Sequence, residues 1–278
     1  MKIAVLTDIH ANFPALSAVA QDIDAWQPDH VVVGGDIVNR GPHPLECLDY
    51  VLERVCTDDW RLVRGNHEDL LLKHHKHSAP PSTPLEQFTH WTQLRLQHRI
   101  AALEAMPFQQ AFFSPDELEA RVVHASMRGN RDGIYPETSD RKLRELISPT
   151  PALLCVGHTH RPLIRSLNGA LIVNAGSCGL PFDLDERPAY ARLTWQPGSG
   201  WQAGIARVEY DRSATENDFS RSGYLEQAGP MAALALMELR SACSLIYGWV
   251  VRYQSAVESG ALDGMQSVDK YLSELGLS

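Results

Sequence analysis

Short polar segments rich in aspartate, asparagine and histidine punctuate this sequence: Asp8-Ile9-His10, Gly35-Asp36, Gly65-Asn66-His67-Glu68, His124 and Gly157-His158-Thr159-His160. Carboxylates, imidazoles and side-chain amides are donors that hold divalent cations, and histidine is also the commonest general acid and base. Each segment follows a run with strand character or begins a turn, and side chains at strand ends converge on one edge of an open α/β sheet. Residues two apart on a strand share a face, so Asp8 and His10 can share one metal, and His158 and His160 can lie on the same rim. Each residue alone also has a purely structural reading. Asp8 could cap a helix beginning near Asn12 or Phe13, Asp36 could be a turn aspartate, and Asn66 a left-handed turn residue. His124, His158 and His160 could be polar rim or strand residues. All these readings would have to coincide at successive strand ends for the metal reading to fail.

The elements that must position these residues follow from apolar periodicity. Lys2–Thr7, Val31–Val33 and Arg61–Arg64 read as strands, with helices over Phe13–Trp26 and Pro44–Val55 between them. Strand and helix alternating at this spacing predict a parallel sheet with covering helices. Glu68–His77 and Leu85–Met106 read as helical, separated by the breaker run 78–84, so residues 70–106 are expected to form a helical cap beside the site. Strands return at Gln110–Phe113, Ala120–His124, Leu153–Val156, Leu163–Ser166 and Leu171–Asn174. Tyr190–Trp195 and Gln202–Tyr210 form a hairpin, and the second half is expected to build a largely antiparallel sheet. From about Ser213 onward the chain reads as helices, broken at Gly229-Pro230. The expected division is a domain over 1–212, carrying the cap, and a helical extension over 213–278.

Composition bounds the setting. The 278 residues are 44% hydrophobic and 21% charged, an ordinary globular balance. The net charge of −9 and the lack of a basic stripe argue against long nucleic acid or an anionic membrane surface as partners. The most apolar stretch, Met231–Met237 followed by Leu245–Val251, is interrupted by Glu238 and Arg240 and falls short of a membrane span. Cys47, Cys56, Cys155, Cys178 and Cys243 are odd in number and widely spaced, as expected of free thiols in a reducing cytosol. The sequence opens directly on the strand-like MKIAVLTD, without a secretory leader pattern, and a cytoplasmic location is expected.

Taken in order, D-x-H, G-D, G-N-H-E, H and G-H-T-H make residues 1–177 resemble the calcineurin-like metallophosphoesterases, and within them the branch of small bacterial phosphodiesterases and diadenosine tetraphosphatases. The resemblance implies an α/β protein, a four-layer α/β/β/α sandwich with mixed sheets, here with the helical cap and C-terminal helices added. It also implies two divalent metal ions. Asp8, His10, Asp36 and His160 would hold the first; Asp36, Asn66, His124 and His158 would hold the second, with Asp36 bridging. A mixed nitrogen and oxygen set without thiolate suits Mn, Fe, Zn, Co or Ni better than Mg or Ca, and Mn is favoured. Two such ions about 3.5–4 Å apart activate a hydroxide for in-line attack on phosphorus and clamp the phosphoryl oxygens. By the same resemblance His67 protonates the leaving oxygen.

The loop G-D-I-V-N-R-G-P is similar to the corresponding loop of diadenosine tetraphosphatases and Ser/Thr protein phosphatases, which implies that Arg40 helps bind phosphate. A planar guanidinium suits that task; a surface ion pair is the competing reading. Asn39 stands where the protein phosphatases carry aspartate, so it can orient His67 without adding charge. Arg128 and Arg131 follow His124 closely and could reach a second phosphate, or belong to a solvated loop. Asn174-Ala175-Gly176-Ser177 is similar to a segment of the small phosphodiesterases and is expected to support the GHTH loop. His74, His75 and His77 are better read as a solvated helix face than as a third metal site. The expected activity is hydrolysis of small-molecule phosphodiesters or phosphomonoesters, dinucleoside polyphosphates or cyclic-nucleotide-like diesters being the preferred class. The alternatives are a Ser/Thr-type protein phosphatase and a non-catalytic scaffold of the same fold, the latter disfavoured by the presence of His67. Trp249 and Tyr253 look exposed in sequence, which makes the C-terminal helices a candidate homo-oligomer interface; core packing is the competing reading.

Overall fold

The computed structural model describes residues 1–76 and 80–277. The chain opens with a βαβαβ run: β1 (Lys2–Leu6), α1 (Phe13–Trp26), β2 (His30–Val33), α2 (Pro44–Asp58) and β3 (Arg61–Leu62). β1 pairs with β2, and β2 with β3, all in parallel. Local chemistry sets the boundaries of α1. The Asn12 side chain accepts the Ala15 N–H at its start, a proline sits in its first turn, and Gln27 takes a left-handed conformation at its end.

Three helices follow β3: α3 (Asn66–His75), α4 (Pro84–Arg95) and α5 (Ile100–Ala105). Leu85–Met106 is therefore two helices, because a 3-10 turn at Gln97–Arg99 interrupts it. Of the predicted Glu68–His77 helix, His77 lies outside the described residues.

The remaining strands are β4 (Gln109–Phe113), β5 (Glu119–Val123), β6 (Leu153–Val156), β7 (Leu163–Leu167), β8 (Ala170–Asn174), β9 (Ala189–Gln196) and β10 (Gly200–Arg207). Helix α6 (Asp140–Leu146), which the sequence reading passed over, precedes β6. One sheet has the order β10-β9-β1-β2-β3, and the other β4-β5-β6-β8-β7. The expectation of a largely antiparallel second half needs correction. β5 and β8 both run parallel to β6, and the β9–β10 hairpin joins the first sheet, antiparallel to β1. Ala191 and Leu193 of β9 share a core with Ile3 and Val5, and that apolar face draws the hairpin to β1.

Side-chain alternation then builds the layers. Ile3, Val5 and Val32 of the first sheet meet Val122, Leu153, Cys155 and Val173 of the second in one buried core. Ala4, Leu6, Val31 and Val33, on the opposite face, pack with Leu16, Val19 and Ile23 of α1 and Leu48 of α2. Val123, Leu154 and Ile172 pack with Leu143 and Leu146 of α6. The fold is a four-layer α/β/β/α sandwich with two mixed sheets.

The chain ends in α7 (Arg212–Arg221), α8 (Tyr224–Gln227), α9 (Met231–Ser241), α10 (Ile246–Glu258) and α11 (Gly264–Glu274). They share a core with Phe88 and Trp91 of α4 and with Leu180. Trp249 and Tyr253 are buried in it, so their exposed look in the sequence is corrected in favour of core packing. All five cysteines are free. Among the described residues no helix is long and apolar enough to cross a membrane.

Candidate metal centre

Asp8 follows β1, Asp36 follows β2, Asn66 and His67 follow β3, His124 follows β5 directly, and His158 and His160 follow β6. The strands they leave run parallel within each sheet, so the loops emerge at the same end of their strands. The residues themselves have left the strands. Asp8, His10, Asp36, Asn39, Arg40, His158 and His160 all have left-handed backbones, with φ between 49° and 67°. That conformation costs a non-glycine residue about 1–2 kcal/mol and signals loops shaped for a task. Strand alternation therefore does not account for the D-x-H and H-T-H pairs, and it fails for the second: His158 and His160 turn to different neighbours.

Two groups of donor atoms result, with Asp36 between them. In the first, Nε2 of His10 and Nε2 of His160 are 3.1 Å apart, and Asp8 Oδ1 lies 3.3 Å from the His160 nitrogen and 4.0 Å from that of His10. In the second, His124 Nε2 lies 3.0 Å from Asn66 Oδ1 and 3.4 Å from Asp36 Oδ2, and His158 completes a cluster with Asp36 and His124. Asp36 Oδ2 is also 3.9 Å from His10 Nε2, so one carboxylate oxygen faces both groups. His67 joins His10 and Asp36, its ring edge-on to His10 at 4.9 Å.

Backbone groups and neighbouring side chains hold these positions. Asp8 Oδ2 accepts from the Thr7 hydroxyl and from the His158 N–H at 2.9 Å, which leaves Oδ1 aimed at the histidines. His124 and His160 each give Nδ1–H to a backbone carbonyl, of Gly34 at 2.9 Å and Leu180 at 2.5 Å, and so present Nε2 to the cluster. Phe182 stacks on His160 with centroids 4.2 Å apart. Asn174 donates to Gly157 O and Thr159 Oγ1, both at 2.8 Å, and thereby braces the GHTH loop as expected. A side chain at Gly157 would drive its Cβ to 1.9 Å from Thr7 Oγ1, so the second sheet's loop can approach Asp8 only with glycine there.

Glu68 is a supporting residue to which the sequence reading assigned no role. Its buried carboxylate accepts the N–H groups of Gly65, Asp36 and Ile37 at 2.8 Å each, tying the loops after β2 and β3 together. Its place at the third position of α3, where an acid reaches back over the helix start, was the available signal.

Proton affinities follow from burial and from Asp36. Burial alone would raise both aspartates, but the imidazoles outweigh it: His160 holds Asp8 below its ordinary value, and His124 and His67 hold Asp36 well below. Burial would lower His124, yet the charge and hydrogen bond of Asp36 lift it to about 10. His10 is depressed by burial and by His160, and His158 falls to about 4 through burial and the charge of His124. Burial takes His67 to about 3, Asp36 opposing and Arg40 reinforcing the shift. Glu68 rises to about 7, chiefly through burial and then the charge of Asp36.

This donor set fits divalent cations. Asp8 Oδ1 is buried and accepts no hydrogen bond, and Nε2 of His160 meets Nε2 of His10 with its other nitrogen already committed as a donor. Two nitrogens bound at about 2.0–2.1 Å to one ion would lie roughly 3 Å apart, as these do.

The structure treats the other predicted residues unequally. The Asn39 amide nitrogen lies 3.2 Å from His67 Nδ1, so it orients that ring and leaves Nε2 free. Arg40 ion-pairs with the buried Glu238 of α9, so its ion pair is not the surface one considered from sequence. Arg128 is half-exposed and paired with Asp132 of its own loop at 3.4 Å. His74 and His75 lie on α3, near His90 and Gln93 of α4.

Residues 1–198 match the calcineurin-like phosphoesterase superfamily domain. A metallophosphoesterase of Sphaerobacter thermophilus, of known crystal structure, superposes with a TM-score of 0.67 at 28% identity, over 87% of this chain and 100% of that one. An uncharacterised protein of Methanocaldococcus jannaschii is 25% identical over 235 residues, which are 75% of this chain and 88% of the relative. A symmetrical bis(5'-nucleosyl)-tetraphosphatase of Chromohalobacter salexigens is 34% identical over 125 residues, 44% of this chain and 42% of that enzyme.

Proposed function

The chain belongs to the calcineurin-like phosphoesterase superfamily, and from that membership we propose that it is a metal-dependent hydrolase of small phosphate esters. One observation carries the reading: a single oxygen of Asp36 faces two groups of buried donor atoms, with His67 beside them. The roles are proposed as follows. Asp8, His10, Asp36 and His160 hold one divalent ion, and Asp36, Asn66, His124 and His158 hold the other. When bound, the pair would supply positive charge to the phosphoryl oxygens and lower the pKa of water so that hydroxide can attack phosphorus.

The chain's own residues do the rest. Asn39 fixes the His67 ring at Nδ1, and once that ring is protonated the amide oxygen accepts Nδ1–H so that Nε2 can donate its proton to the leaving oxygen and return to neutral imidazole. Burial and Arg40 keep His67 neutral in the ligand-free chain, and an anionic phosphoryl group beside it would raise its proton affinity. Arg40 grips a phosphoryl oxygen. Asn39 brings no charge, which disfavours the protein-phosphatase arrangement. The similarity to the tetraphosphatase, over 44% of this chain, supports a dinucleoside polyphosphate or related diester as substrate.

The test is turnover of bis-p-nitrophenyl phosphate and p-nitrophenyl phosphate with Mn2+, with EDTA, and with H67A. Metal-dependent diester cleavage that collapses in the variant is the expected result. No turnover of either ester across several metals, with metal bound and the protein folded, would overturn the reading in favour of a binding scaffold.

A further inference from the structure

Glu238 breaks the most apolar stretch of the chain and lies outside the matched family domain. It sits within α9, fully buried among Leu234, Leu239, Leu245, Ile246 and Trp249. Burying a carboxylate there is costly unless its charge and lone pairs are met. They are met from two sides. Oε1 accepts the N–H groups of Leu245 and Ile246, both at 2.8 Å, at the start of α10, where the helix dipole also favours negative charge. Oε2 accepts from Nη1 of Arg40 at 3.1 Å, across 198 residues of sequence.

The pair is lopsided. Glu238 has no exposed side-chain surface and Arg40 has 16%, so of the two only the arginine reaches the surface. Arg40 Nε is buried with no acceptor. The loop bearing Arg40 is pressed onto the site: a Cβ at Gly41 would lie 2.3 Å from His10 O, and Asn39, next to Arg40, touches His67. The Arg40 guanidinium also lies 6.0 Å from the ring of Phe182, which stacks on His160. Its charge depresses both His10 and His67.

Resting on the phosphoesterase reading above, we propose that Glu238 is a positioning residue for substrate binding. The C-terminal helices, through this one carboxylate, hold Arg40 at the His10–His67 side of the site, its free edge turned to a phosphoryl oxygen. Glu238 cannot swing out to compete with the phosphate, because two backbone N–H groups pin it.

Glu238→Gln separates this role from a structural one. The glutamine oxygen can keep both backbone N–H groups, while its amide would face Arg40 as donor against donor. Metal content, thermal melting, kcat/KM for the diester and inhibition by inorganic phosphate are measured for wild type, E238Q, R40A and the double variant. E238Q is expected to keep its metals and fold, and to lose about tenfold or more in phosphate affinity and kcat/KM. It should cost nothing further on top of R40A. Wild-type phosphate affinity in E238Q, or losses that multiply in the double variant, would overturn the proposal. If E238Q does not fold, R40K decides: lysine cannot serve carboxylate and phosphate with one planar fork, so wild-type affinity in R40K would overturn it as well. Absence of turnover in the wild type removes the phosphoesterase reading itself; wild-type turnover with an unaffected E238Q removes only the role of Glu238.

Discussion

Asp183, Asp185, Glu186 and Glu216 face Arg187, Arg207, Arg212 and Arg240 in two networks of ion pairs, one joining the loop before β9 to the end of β10 and the other running from that loop through α7 to α9. Asp8 and Asp36 face something different. Among the described residues their ion-pair partners are His10, His124 and His160, none of them a permanent cation, and both carboxylates are almost wholly buried. The first region neutralises itself at the surface, where water relieves any mismatch. The second buries charge at a cost of several kcal/mol per ion and meets it with titratable imidazoles. A carboxylate cluster that faces its own arginines is balanced from within; one that faces imidazoles, which can give up their protons to a metal, is built for an external cation.

The contrast is broken most directly at Asp36. Its Oδ2 faces both donor groups, so Asp36→Ala should remove high-affinity metal binding and reduce turnover to that of metal-stripped protein. Metal content by elemental analysis, read beside ester hydrolysis, checks this. A variant that keeps its full metal complement would show that Asp36 does not bridge. His67→Ala should differ in kind: metal content stays while kcat falls by about 10²–10⁴. Equal metal loss in both variants would make His67 a ligand, which its distance to His10 and Asp36 also allows.

Much of this was legible in sequence, for reasons that differ between regions. The alternation of Ile3 and Val5 with Ala4 and Leu6, and the period of Leu16, Val19 and Ile23, are local signals, and they specified β1 and α1 closely. The sheet to which the β9–β10 hairpin belongs was not legible, because a strand's own pattern does not name its neighbour. The donor residues were legible by type and order. Their left-handed backbones were not, since Asp, His and Asn tolerate several turn conformations. Arg40 reads as a phosphate ligand from its loop, but its partner Glu238 reads only as an interruption in an apolar helix. Nothing local joins residues so distant in the chain.

Metal removal should sharpen the comparison at the level of stability. A cation bound at about a hundred times its dissociation constant stabilises by about 2.7 kcal/mol, so EDTA is expected to lower the melting temperature by roughly 5–10 °C. The donors come from both sheets, Asp8 and His10 from the first and His160 from the second, so the loss should appear as one cooperative shift. An unchanged melting curve on chelation would mean that the buried carboxylates are satisfied without metal.

Asp185 gives the smallest effect and the opposite test. The hydrogen bonds of Arg187, helped by the charge of Arg207, hold its carboxyl at about 2, against an ordinary 3.8. A depressed folded pKa means that the ionised form is the one the fold favours. Its contribution is therefore present above pH 3.8 and is lost as pH falls through about 2. The side chain is 32% exposed, so solvent screens the pair, and Asp185→Asn should lower the melting temperature at pH 7 by no more than about 2 °C. The gap between variant and wild type should close between pH 4 and pH 2. The shift caused by EDTA at pH 7 should be the same in D185N as in wild type, because this charge is already balanced by arginine. A D185N variant that lost its response to EDTA would show that the two carboxylate regions are coupled and that the self-paired surface belongs to the metal centre after all.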